Sequence, residues 1–346
     1  MQMNNYNEVS ALLEKLCSAK GVSGAENMAA QVTSELLGKY MPVKTDPLGS
    51  VTGTMGDGDV HILLDAHLDQ IGLVVTAVDE DGFIKVARCG GADIRVLAAA
   101  EVTVHGKEDI FGIITSTPPH LSKPEESNKA KDFDEIAVDI GMKREDAVKI
   151  VSPGDRITFN GSFLKLLGNR VASPSVDDRA GVAAILRCLE MLDGKKLNCK
   201  ISVMFSVQEE TGGSGAQAGA FSACADEAIA VDVSFATAPG ISSEKYAVLG
   251  GGTMIGYAPS LDYEMSRRLS DIAEKKNIPN QPEVMGGKTG TNCDEIQLAG
   301  KGVKTALLSI PLRNMHTAVE VCDLEDIENT AKLMAEYIIE RGGMNA

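Results

Sequence analysis

The stretch ISVMFSVQEETGGSGA, residues 201–216, decides how the rest of the chain is read. Its first seven residues are almost all apolar or β-branched and predict a buried strand. The strand stops abruptly at Glu209 and Glu210, and a glycine-rich turn follows. Adjacent carboxylates repel one another, so either the pair faces water or a positive charge compensates it.

Outward from that strand the pattern alternates. The segment DDRAGVAAILRCLEML reads as a helix with Val182, Ile185, Leu189 and Leu192 on one face. AIAV and TALLSI read as further strands, and a last helix near residues 324–341 carries Ile327, Ala331, Met334 and Ile338 along one stripe. Upstream, residues 7–19 have helical spacing, GVSGAE breaks that helix, and Ser23 with Glu26 forms a capping-box pattern for the next, running to about residue 37. HILLDAHLDQIG then gives an apolar strand with a polar cluster at its carboxyl end. Alternating β and α predicts an α/β fold, a mainly parallel mixed sheet sandwiched by helices.

Between residues 71 and 166 the texture changes to short β-rich pieces (LVVTAV, FIKVA, EVTVHG, IFGIIT, DRITF) with little helical periodicity. This predicts a small β-barrel (71–166) inserted into a catalytic domain made of residues 1–70 and 167–346. KPEESNKAKDFDE reads as an exposed loop within it.

Composition narrows the function. The 346 residues carry a formal net charge of −16, which repels phosphate backbones and argues against nucleic acid as a partner. No apolar run approaches the ~18 residues that span a bilayer. The amino terminus has neither a basic nor an apolar signal region. Seven scattered cysteines without a CxxC pair suit a reducing compartment, so a soluble cytoplasmic protein is expected.

In open α/β sheets ligands bind outside the carboxyl ends of the strands. Four apolar runs hand over polar groups there: His67 and Asp69, then Glu209 and Glu210, then Asp232, then His316. SVDDRAG adds Asp177 and Asp178 at the start of a helix. Each piece alone has a plain reading: a turn with a capping Asp, a solvated acidic pair, a helix cap, a core histidine. Together they include two of only five histidines, and imidazole with carboxylate suits zinc, cobalt or manganese. Two histidines, one bridging Asp and two terminal carboxylates make a two-metal centre, with the spare glutamate free for proton transfer.

With these residues assembled, the chain resembles the M42 metallo-aminopeptidases, which include glutamyl, leucyl and tetrahedral aminopeptidases. The likeness covers nearly the whole length, through GVSGAE, DPLGSV, HLDQIGLVV, GGADIRVL, DDRAG, QEETGGSGA, DVS and SIPLRNMHTAVEV in that order. The resemblance implies that His67 and Asp232 hold one divalent ion, Glu210 and His316 the other, and Asp177 bridges them. It implies Glu209 as the general base and Asp69 as the partner that orients His67. It further implies removal of the N-terminal residue of short peptides by a metal-activated bridging water, and a homo-oligomer of the tetrahedral dodecamer type. Gln70 stands where the family usually has Glu, Asn292 where it has Asp, Ala238 where it has Asp, and ASPS before Asp177 is unusual. A related two-metal deacylase or carboxypeptidase would use the same ligands. A glycosidase fits poorly, because the chain has no Trp and few aromatics for sugar stacking. A non-catalytic scaffold would require a lost ligand or base, and none is lost.

Overall fold

The run after residue 200 forms the buried strand Cys199–Ser206, paired in parallel with Val60–His67 so that Ser206 stands opposite His67. The computed structural model describes residues 6–121, 130–240 and 246–343. Eight strands form one sheet in the order Val43–Thr45, Val51–Met55, Cys199–Ser206, Val60–His67, Glu227–Phe235, Lys304–Leu312, Thr253–Tyr257, Asn280–Val284. The four middle strands run parallel. Antiparallel pairings appear only toward the edges, where Val51–Met55 meets Cys199–Ser206 and Thr253–Tyr257 meets Lys304–Leu312. The sheet is therefore mixed, with a parallel centre.

The period of two along each strand sorts the core onto two faces. Ile62, Leu64, Val203, Phe205, Ile229 and Val231 pack on one side, beneath the helices Asn7–Ser18, Val176–Leu192, Tyr263–Lys276 and Leu324–Gly342. Leu63, Met204, Ala228, Ala230 and Leu307 pack on the other, against Ser214–Ala223 and Cys293–Ile296. Continuous apolar runs are what a strand covered on both faces needs. The stripes Val182, Ile185, Leu189, Leu192 and Ile327, Ala331, Met334, Ile338 are all buried in the first layer.

Six further strands close a barrel in the order Gly72–Val78, Ile84–Cys89, Ala137–Asp139, Asp109–Ile114, Glu101–His105, Arg156–Phe159. It has its own core, including Leu73, Val75, Ile84, Val102, Val104, Val138 and Ile157. Contrary to the reading of little helical character here, Arg144–Ile150 is a helix. Only Ala147 of it is buried, so it has no apolar stripe to betray it. The acidic loop KPEESNKAKDFDE falls partly outside the described residues, at positions 123–129.

The capping box at Ser23 and Glu26 does not form. The helix Asn27–Leu37 has no side-chain cap, and the Glu26 carboxylate accepts the Gly24 N–H instead. Ser23 donates its hydroxyl to Asp69, a fully buried carboxylate with more to gain from a donor than a helix end near solvent.

Candidate metal centre

His67 is the last residue of its strand, whereas Glu209 and Glu210 lie three and four residues past the end of theirs. Asp232 departs from the expectation: it lies inside Glu227–Phe235, because that strand keeps pairing with Lys304–Leu312 as far as Phe235 and Leu312. His316 follows four residues after Leu312. Asp177 and Asp178 fall within Val176–Leu192 but have non-helical backbones. Asp178 then caps the regular helix by accepting the Gly181 N–H at 2.9 Å, leaving Asp177 to face the sheet residues.

The side chains converge. His67 Nε2 is 3.0 Å from Asp177 Oδ1 and 3.9 Å from Asp232 Oδ1. His316 Nε2 is 3.3 Å from Asp177 Oδ2 and 3.4 Å from Glu210 Oε1. Two trios result, His67–Asp177–Asp232 and Asp177–Glu210–His316, each with ligand atoms within 4.8 Å of one another and both using Asp177. One imidazole nitrogen and two carboxylate oxygens per trio is a donor set suited to a borderline divalent ion. A carboxylate offering one oxygen to each trio has the geometry of a bridge.

Charge in the site follows from burial. It pushes Glu209 up to about 8, helped by Glu210, Asp177 and Asp69, and it drives Asp232 well above the usual carboxylate range. Burial opposes protonation of His316, yet Asp177 and Glu210 outweigh it and raise the imidazole to about 11. Asp177 goes the other way: against burial, His316 and His67 hold it below the ordinary range. The cluster thus draws positive charge, and divalent cations fit it. Asp177, Glu209, Glu210, Asp232 and His316 line a cavity of about 450 Å³, which also contains Glu283.

Asp69 behaves differently from a simple partner of His67. The imidazole Nδ1 lies 3.0 Å from the Asp69 carbonyl oxygen and 3.5 Å from its carboxylate. The carboxylate oxygens accept the backbone N–H of Glu209 at 2.9 Å and of Glu210 at 3.1 Å. Glu320 plays the matching part, accepting the N–H of Asp177 at 3.0 Å and of His316 at 2.9 Å. Sequence reasoning missed Glu320 as a site residue, although it sits four residues after His316 in the quoted HTAVEV. Gly91 was also missed. Its carbonyl meets His316 Nδ1 at 3.1 Å, and a Cβ there would stand 2.4 Å from the same nitrogen.

The unusual residues have their own partners. Gln70 accepts the Gly21 N–H through its side chain. Asn292 donates to both Asp65 and Ser206 at 2.8 Å, where a carboxylate would have confronted the buried Asp65. No contact of Ala238 explains its departure.

The family model of the M42 glutamyl aminopeptidases matches residues 49–333. A lysyl aminopeptidase of Pyrococcus furiosus is 33% identical over 338 residues, spanning 95% of this chain and 96% of its own. An aminopeptidase of the archaeon Desulfurococcus kamchatkensis superposes with a TM-score of 0.91 at 32% identity, over 97% of this chain and 95% of its own. The Pyrococcus horikoshii TET1 peptidase, which can assemble into a tetrahedron or a large octahedral shell, superposes with a TM-score of 0.85 at 30% identity, over 96% and 99%. Matches in sequence and fold over nearly the full length agree, and the chain belongs to the M42 aminopeptidase family, as an enzyme that hydrolyses peptide bonds.

Proposed function

We propose that the chain removes N-terminal residues from short peptides at a centre of two divalent ions, zinc, cobalt or manganese. The observation that carries this reading is the pair of trios sharing Asp177 beside Glu209 in one cavity. His67 and Asp232 would hold one ion, Glu210 and His316 the other, with Asp177 between them. Ions bound there would polarise the scissile carbonyl and acidify the attacking water. Glu209 takes that water's proton and gives it to the leaving amine, a task suited to a buried carboxyl whose affinity for protons is raised. Asp69 orients Glu209 and Glu210 through their backbone, and its carbonyl steers His67.

The division of labour is part of the proposal: residues 1–70 with 167–346 carry the chemistry, and 71–166 shape access. So is a cytoplasmic homo-oligomer, possible assemblies including the tetrahedral dodecamer. Among the described residues no helix is long and apolar enough to cross a membrane.

The deciding experiment pairs elemental analysis with a substrate panel. Up to two divalent ions per chain are expected, with hydrolysis of aminoacyl-anilides and free peptides, none of amino-blocked peptides, and loss of activity on chelation. Cleavage of blocked substrates only, or activity indifferent to chelators, would overturn the reading.

A further inference from the structure

One acidic group in the cavity belongs to neither trio and, unlike Glu209, has no part in the proposed proton transfer. Glu283 lies on Asn280–Val284, and its carboxylate accepts the hydroxyls of Ser309, at 2.6 Å, and of Ser234. Ser309 is the register partner of Asp232, and Ser234 follows Asp232 by two on the same strand, hence on the same face. The carboxylate is therefore tied to the wall beside Asp232, on the side of the adjacent strand. Strands are spaced ~4.8 Å apart. A four-carbon side chain covers that kind of span, and a short one does not.

Two hydroxyl donors occupy only half of a carboxylate's roughly four acceptor positions. No ion pair to Glu283 occurs among the described residues, and burial pushes its carboxyl up against the two hydroxyls. Phe235 and Met315 also line the cavity and offer apolar surface to an aliphatic stem. An oriented, half-satisfied carboxylate in a cavity that also has apolar lining is the complement of an ammonium or guanidinium on a flexible stem.

We propose that Glu283 is the specificity-determining residue of this cavity and selects peptides whose N-terminal residue is cationic, lysine or arginine. The inference rests on the aminopeptidase reading for anchoring the peptide's amine at the trios. An acidic N-terminal residue is repelled, and an aliphatic one leaves the carboxylate without its counter-charge.

The test compares Lys-, Arg-, Leu- and Glu-anilides with the metal-loaded protein and its Glu283→Gln and Glu283→Asp variants, and separately measures calorimetric binding of lysinamide and leucinamide. In the unmodified protein kcat/KM for Lys and Arg should exceed that for Leu by about 10²-fold or more, because a site built around a polar partner rejects an analogue that leaves it unpaired. Glu283→Gln should lower the Lys-to-Leu ratio at least tenfold in both turnover and binding, and Glu283→Asp should restore part of it. A ratio unmoved by Glu283→Gln, or a native preference for Leu or Glu, would overturn the assignment. If lysinamide binding depends on Glu283 but no anilide is cleaved, the aminopeptidase reading fails and the recognition site stands. If anilides are cleaved without regard to Glu283, the reverse holds.

Discussion

Asp69 and Glu320 act on backbone. Between them they hold the N–H groups of Glu209, Glu210, Asp177 and His316, so two buried carboxylates fix the main chain under four of the side chains that converge. Glu320→Gln keeps the shape but offers one acceptor oxygen, leaving one of those N–H groups facing an amide donor. Ion affinity is expected to fall about 10–100-fold, the usual effect of disturbing a ligand's support, as read by titration calorimetry. The adjacent glutamates should separate cleanly. Glu209→Gln should keep both ions and lose on the order of 10²–10⁴ in kcat, whereas Glu210→Ala should lose an ion; equal, mild effects in metal analysis and turnover would remove both from these roles. The residues that converge were legible because strand ends advertise them. The supporting roles of Asp69 and Glu320 were not, because no spacing rule tells which way a backbone amide points. Asn292 was visible only as an oddity until its contact with Asp65 gave it a reason.

At the scale of elements, the helix Val176–Leu192 is the central support, buried against both the sheet and the helix Leu324–Gly342. Leu189→Ala should cost about 2–5 kcal/mol by opening a cavity there, measurable by denaturant unfolding. Near the start of the last helix, Asp326 accepts the N–H groups of Gly250 and Gly252 at 2.7 Å. Burial raises it to about 7, the two N–H groups pulling it back. Its folded pKa stands above the ordinary 3.8, so its contribution to stability is full below about 4 and is lost as pH rises through about 7. Asp326→Asn mimics the neutral form, and its melting temperature relative to the native chain should therefore improve between pH 5 and pH 8. A constant difference across that range would contradict the argument. Long elements with a clear period were readable; the helix Arg144–Ile150, with a single buried residue, carried no period to read. Asp232 was found but misplaced along its strand, since residue pattern does not say how far a parallel partner extends.

The whole molecule joins two separately cored bodies, a sheet covered on both faces and a barrel, within one chain of net charge −16. Large apolar side chains remain uncovered on the single chain, among them Leu167 at 98%, Leu298 at 68% and Phe221 at 65% exposure. Such surface suits burial between subunits, and native mass spectrometry at micromolar concentration should find a large homo-oligomer; monomer alone would refute it. The two bodies also meet at the His316 ring. The loop after the barrel strand Ile84–Cys89 grips His316, Gly91 accepting from its imidazole and Asp93 donating to its carbonyl. Coupling between two equilibria is reciprocal. If seating the barrel tightens an ion at His316, that ion must steady the barrel by the same factor. Scarcity of metal would then be felt first as a looser mouth to the cavity, and amide exchange in the barrel would serve as a gauge of ion supply.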